Sequence, residues 1–269
     1  MTGEGPELLS ERAVPSADRT GQPGHAQDRS AKAGSALRAA AALTLACTGG
    51  CGVLHAPAAP SGLEKQVATG ERISAASRAH ASAQSRKLAP TPAPAAAQRQ
   101  VRGRQVTAIG DSVMAASAMA LESVLPGIYI DAVPSRQMPA GLEVVRRLAA
   151  SGQLRPVVVM GLGTNYIVTT RELNELVRLI GPHRKLVLIN TFVPDEWSKE
   201  VNATEAAYLR RHPAVVLADW FATIRHRTGL LWPDDVHPQL PGTWVYARLV
   251  DRAIQATREA PGAPPVRGL

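Results

Sequence analysis

Val106-Thr107-Ala108-Ile109-Gly110-Asp111-Ser112 decides how this chain is read. A short apolar, β-prone run closes on a glycine, the pattern of a buried strand giving way to a tight turn. A helix starting behind the serine leaves its hydroxyl near outward-pointing backbone N–H groups, where developing negative charge is favoured. Gly-Asp-Ser by itself is more often a plain turn or helix cap. The stretch that separates the two readings lies far downstream, at Asp234-Asp235-Val236-His237-Pro238.

From Val106 onward the texture alternates. Strand-like runs are 106–109, 128–132, 157–160, 186–190 and 215–218. Between and after them lie helical patterns at 114–125, 141–150, 171–180, 204–211 and 241–257. Short apolar strands alternating with amphipathic helices predict an α/β fold. The expected form is a three-layer α/β/α, flavodoxin-like sandwich on a five-stranded parallel sheet. Reactive groups in such sheets gather beyond the carboxyl ends of the strands. Gly110-Asp111-Ser112, Ser135-Arg136-Gln137 and Gly163-Thr164-Asn165 follow the first three strands and fall on that one rim.

Composition sets the limits of the folded part. The four Trp, four Tyr and two Phe all lie between Tyr129 and Tyr246. The first 104 residues, dominated by Ala, Pro, Gly, Ser, Gln and Arg, lack the apolar area that offsets chain entropy. One domain is therefore expected over 105–257, behind a disordered N-terminal arm and ahead of a disordered tail at 258–269. Within the arm, 1–38 reads as a basic leader. Residues 39–54 run without charge as a signal-like or marginal membrane-anchor segment, shorter than a clear span. Residues 55–104, with Pro90-Thr91-Pro92-Ala93-Pro94, read as a linker. Cys47 and Cys51 both lie in the arm and make a poor metal site without further ligands.

The net charge of +8 raises nucleic-acid binding, but its location argues against it. Residues 105–257 carry 15 Lys+Arg against 14 Asp+Glu, so the flanks hold all but one unit of the excess. Basic flanks suit an anionic membrane or wall, and no nucleic-acid-binding signature accompanies them.

A serine hydroxyl is a weak nucleophile until a base takes its proton, and that base works best when a third group fixes its tautomer. Asp234, three residues before His237 in a turn stiffened by Pro233 and Pro238, can hold Nδ1 and leave Nε2 for Ser112. No Gly-x-Ser-x-Gly elbow is present, which excludes the α/β-hydrolase template. Gly161-Leu162-Gly163 lacks the third glycine and the first-strand position of a dinucleotide loop. His183, His212 and His226 read as surface histidines, and Trp197, Trp220 and Trp244 as core. Asp111 reads as a turn-stabilising acceptor. No metal or cofactor is called for.

Gly110-Asp111-Ser112, Gly163-Thr164-Asn165 and Asp234-Asp235-Val236-His237-Pro238 together resemble the sequence blocks of the SGNH/GDSL hydrolase family. Asp131-Ala132-Val133-Pro134-Ser135-Arg136-Gln137 and Asn190-Thr191-Phe192-Val193-Pro194 are similar to one branch of it. That branch comprises the extracytoplasmic catalytic domains of O-acetyltransferases acting on peptidoglycan and related surface glycans. The likeness spans about 106–255. It implies Ser112 as nucleophile, His237 as general base and acid, and Asp234 as its orienting partner. The implied oxyanion hole is the Ser112 N–H, the Ser135 N–H and the Asn165 side chain.

Arg136, Gln137, Tyr166 and Trp232 are candidate substrate contacts, each with a structural alternative: a salt bridge for Arg136, core or rim packing for the two aromatics. Two positions depart from the family pattern, since Ser135 and Asp235 stand where glycine is common. Asp235 would also bring a second carboxylate near His237. The resemblance therefore implies a serine esterase or O-acetyltransferase on cell-envelope carbohydrate, located outside the cytoplasm and membrane-associated through the N-terminal segment. A monomeric catalytic domain is expected, with a separate membrane protein supplying the acyl group if transfer is the reaction. The alternative is a glycan-binding module on the same fold with catalysis lost.

Overall fold

A computed structural model describes residues 60–84 and 100–260. The leader, the 39–54 segment with Cys47 and Cys51, and most of the C-terminal tail lie outside these described residues. Among the described residues, no helix is long and apolar enough to cross a membrane.

The elements run α1 (Gly62–Gln84), β1 (Val106–Gly110), α2 (Ser112–Val124), β2 (Tyr129–Ala132), α3 (Met138–Ala150) and β3 (Val157–Gly161). They continue with α4 (Thr170–Ile180), β4 (Lys185–Ile189), α5 (Trp197–Arg211), β5 (Val215–Ala218), α6 (Trp220–Ile224) and α7 (Leu240–Ala256). All five strands pair in parallel in the order β2-β1-β3-β4-β5. The expected α/β/α sandwich on a five-stranded parallel sheet is what forms.

Alternation along the strands divides the core into two layers. Val106, Ala108, Ile130, Val157, Val159, Val187 and Ile189 face one way, toward α2 and α7. Ile109, Tyr129, Val158, Met160, Leu186 and Leu188 face the other, toward α3, α4 and α5. Burial on both faces explains why the strands read as continuous apolar runs. The order reverses at β1, whose neighbours β2 and β3 lead the chain to opposite sides. Ligand crevices in open α/β sheets form at such a switch point. Gly110 sits there because a Cβ would press 2.5 Å from Met114 Cβ, blocking the immediate turn from β1 into α2.

One boundary departs from the sequence reading. Residues 55–104 were expected to be a linker, yet 62–84 form α1, which packs on α2 and along the edge strand β2. Ser61 and Glu64 close a reciprocal cap at its start: Ser61 N–H donates to Glu64 Oε2 at 2.6 Å and Glu64 N–H to Ser61 Oγ at 3.1 Å. Trp220 is core, 2% exposed, with its ring edge-on to Tyr246. Trp244 is not core; it is 41% exposed, because α7 buries Tyr246, Ala247, Val250 and Ile254 and carries Trp244 off that face.

Candidate active site

The nucleophile candidate is set by the end of β1. Asp111 caps α2, its Oδ1 accepting from Val113 N–H at 3.0 Å, so Ser112 occupies the first helical position. An N–H there has no intrahelical acceptor and stays available to an oxyanion. Ser112 is 8% exposed, recessed but reachable.

His237 arrives from the loop after β5. Leu231 and Pro238 form an antiparallel bridge, and Trp232 N–H donates to the His237 carbonyl at 2.8 Å, closing the loop at its base. Within it Asp234 Oδ1 accepts from Val236 N–H at 2.9 Å and His237 N–H at 3.0 Å, an Asx turn that fixes the carboxylate against the backbone. The other oxygen, Oδ2, lies 2.8 Å from His237 Nδ1, and His237 Nε2 lies 2.8 Å from Ser112 Oγ. Burial raises the Asp234 carboxyl, but the two backbone N–H groups and the His237 ring outweigh it and hold it below the ordinary carboxylate range. The carboxylate that reaches Nδ1 is Asp234. Asp235, expected as a competitor, is exposed on the turn beside it.

The remaining rim comes from the loops after β2 and β3. Gly163 adopts φ +126°, a conformation that suits glycine, and carries the chain into Thr164 and Asn165. Asn165 Nδ2 donates to Asp111 Oδ2 at 3.2 Å, with Arg136 O at 3.5 Å. Asp111 is thus more than a turn acceptor. Buried, it holds the Asn165 side chain, receives the Thr164 hydroxyl and feels the charge of His237. Burial nevertheless pushes its carboxyl up to about 6. Asp111 and Thr164 are the site residues that sequence reasoning undervalued, although both sit inside the motifs that marked the site.

Among the candidate substrate contacts, Tyr166 is 57% exposed on the rim beside Asn165, its ring 6.5 Å from that of Trp197. Gln137 is exposed and its Nε2 reaches Asn165 O at 3.4 Å. Arg136 is buried and bonded to Asp131 Oδ1 at 2.8 Å, to the Asp131 carbonyl and to Gly110 O, so it braces the loop from within. The Trp232 ring lies against Gly62 of α1, where a Cβ would stand 2.5 Å from it. Trp232 packs against α1, and the Arg136 guanidinium is committed to Asp131 and the loop backbone.

The two departures from glycine have a backbone counterpart: Ser135 has φ +59° and Asp235 φ +55°, both left-handed. An L-residue there costs roughly 1–2 kcal/mol, less for Asp, against a glycine entropy cost of roughly 0.5–1 kcal/mol. Ser135→Gly is therefore expected to raise the melting temperature by about 1–3 °C, with a smaller rise for Asp235→Gly. A fall in melting temperature for Ser135→Gly would show that its side chain is worth more than the strain.

No family model matches the chain. Two curated relatives are YrhL of Bacillus subtilis (strain 168) and the peptidoglycan O-acetyltransferase OatA of Listeria monocytogenes. YrhL is 29% identical over 153 residues, covering 57% of this chain and 24% of that protein. OatA is 30% identical over 146 residues, covering 54% and 23%. The chain thus spans about a quarter of the length of the relatives it matches. Among solved structures, the C-terminal catalytic domain of Streptococcus pneumoniae peptidoglycan O-acetyltransferase A, determined with a methylsulfonyl adduct, superposes with TM-score 0.51. It is 24% identical and covers 58% of this chain and 95% of that one, a likeness of fold. In sequence the α/β unit of this chain is similar to stretches of these two proteins, and in fold it is similar to the solved O-acetyltransferase catalytic domain.

Proposed function

We propose that this domain moves acyl groups to or from cell-envelope carbohydrate through a serine acyl-enzyme. The observation that carries the reading is the unbroken relay Ser112 Oγ–His237 Nε2 and His237 Nδ1–Asp234 Oδ2, with 2.8 Å at each link. As the Ser112 hydroxyl attacks an ester carbonyl, His237 takes its proton at Nε2, and Asp234 stabilises the imidazolium that forms. The Ser112 N–H and Asn165 Nδ2 supply donors for the tetrahedral oxyanion, and the Ser135 N–H is the third candidate. His237 then returns the proton to the departing alcohol. Water or a sugar hydroxyl, deprotonated in turn at Nε2, attacks the acyl carbon, and His237 gives that proton to Ser112 Oγ as the acyl–oxygen bond breaks.

The carbohydrate substrate rests on the similarity to OatA, which is named a peptidoglycan O-acetyltransferase. Exposed Tyr166 offers a ring on which a sugar can stack. A location outside the cytoplasmic membrane, with 39–54 as signal or anchor and a separate membrane protein as acyl donor, belongs to the same proposal.

The test is release of acetate from a chromogenic acetyl ester by the full chain, with and without peptidoglycan oligomers. Turnover that oligomers divert into acetylated glycan supports transfer, and turnover that they leave unchanged supports hydrolysis. Binding of oligomers without turnover under either condition would favour the glycan-binding module instead.

A further inference from the structure

Helix α1 meets the domain along a row of residues, Gly62, Gln66, Gly70, Ser74 and Arg78, flanked by Val67 and Ile73. These positions recur every four residues, so each stacks on the next in a row that winds gradually round the helix. Each contact falls on a segment that carries a proposed site residue. Gly62 lies under the Trp232 ring, at the base of the His237 loop. Gln66 Nε2 donates to Pro238 O at 2.8 Å and to Ala116 O at 3.2 Å, so one amide group ties the residue after His237 to the helix that begins with Ser112. Gly70 is buried against the Ala115 carbonyl, too close for any Cβ. Ser74 Oγ accepts from Ala132 N–H at 3.3 Å, where the chain leaves β2 for Ser135. Arg78 Nη1 meets Asp131 Oδ1 at 2.9 Å, the same oxygen that holds Arg136, whose carbonyl faces Asn165 Nδ2.

We propose that α1 is a strap that sets the geometry of the site. Gln66 is a positioning residue for His237, and Arg78 one for the Ser135–Asn165 side. The proposal rests on Ser112 and His237 being the reacting pair. A helix that merely covered apolar surface would change stability on mutation and leave the reactivity of the folded protein alone. A strap acts on the relay itself, because the Ser112–His237 contact joins two elements that α1 bridges. Displacements well under an ångström matter at such a contact.

The experiment uses the full chain and two readouts. One is the rate at which methylsulfonyl fluoride labels Ser112, followed by mass spectrometry. The other is kcat and KM on the acetyl ester across pH. Gln66→Met keeps the length of the side chain and removes both donors. It is expected to slow labelling and lower kcat by roughly tenfold, with KM within twofold and the melting transition retained. Gln66→Glu, which faces two carbonyl oxygens with a carboxylate, is expected to be worse. Arg78→Met should give the same pattern from the other end through Asp131 and Arg136, so the test does not hang on one variant. Labelling and kcat within twofold of the parent in folded Gln66→Met and Arg78→Met would overturn the strap. A parent that labels at Ser112 without turning over any ester would overturn the proposed function while the labelling rates still judge the strap. A parent that does not label at all would overturn both.

Discussion

Ser112→Ala is expected to abolish ester turnover, and His237→Ala to lower kcat by roughly 10⁴- to 10⁶-fold, each with KM little changed. The size follows from the relay acting as a unit. Without the base, the Ser112 hydroxyl keeps its proton. Without the serine, the base has no nucleophile to activate. The double variant should then lose no more than the worse single one, which separates a relay from two independent contributions. Asp234→Asn is a finer test. Its Oδ1 can still accept from Val236 and His237, so the loop should hold. Its amide then presents a donor to Nδ1, which favours the tautomer with the proton on Nε2, facing Ser112. The Asp234 side chain is 36% exposed, so water can replace part of its effect, and a loss of roughly 10²–10³ in kcat is expected, below that for a buried partner. Turnover by Ser112→Ala above a few per cent of the parent would remove Ser112 from the chemistry.

The site was legible because its chemistry is local in the chain. Asp234 and His237 are three residues apart on one turn, and Ser112 and Asn165 each sit where an apolar strand ends. Topology then did the assembly: a parallel sheet brings every strand's carboxyl end to one rim. What escaped the sequence was α1, and the reason is physical. Its docked face is made of Gly62, Gln66, Gly70, Ser74 and Arg78, which carry no apolar period, and large apolar side chains contribute only partly, through Val67 and Ile73. The hydrophobic pattern that reveals a packed helix was therefore missing in an Ala- and Ser-rich stretch that resembles a linker. One signal was present: Ser61-Gly62-Leu63-Glu64 has the spacing of a capping box, and the structure forms it. For Arg136 the sequence left a glycan contact and a structural salt bridge both open. The fold takes the second, pairing its guanidinium with Asp131, and that choice depends on where the loop after β2 turns.

Asp111→Asn is expected to stabilise the protein at alkaline pH while damaging the site. The Asp111 carboxyl titrates near 6 in the folded state, against an ordinary 3.8, because burial opposes its charge more than its partners support it. The folded state therefore holds the proton more tightly than the unfolded one. Stability from this group is fully present below about pH 3.8 and is lost as pH rises through about 6. The difference of about two units corresponds to at most roughly 3 kcal/mol, borne in full at pH 8.

Asparagine carries no such burden, but it cannot reproduce both acceptors. One amide oxygen can serve Val113 N–H or Asn165 Nδ2, and the amide nitrogen then faces the other donor, at a cost of roughly 1–2 kcal/mol. The net expectation is a gain of about 1 kcal/mol at pH 8 that turns into a loss of roughly 1 kcal/mol toward pH 4, where the charge relief is gone and the donor conflict remains. Urea denaturation of parent and variant at both pH values measures it, and a difference independent of pH would refute it. The same donor conflict releases the Asn165 side chain from its place at the proposed oxyanion hole, so kcat should fall by roughly 10²-fold even as the protein becomes harder to unfold at pH 8. A variant both more stable at pH 8 and fully active would show that Asp111 does not hold Asn165 for the reaction.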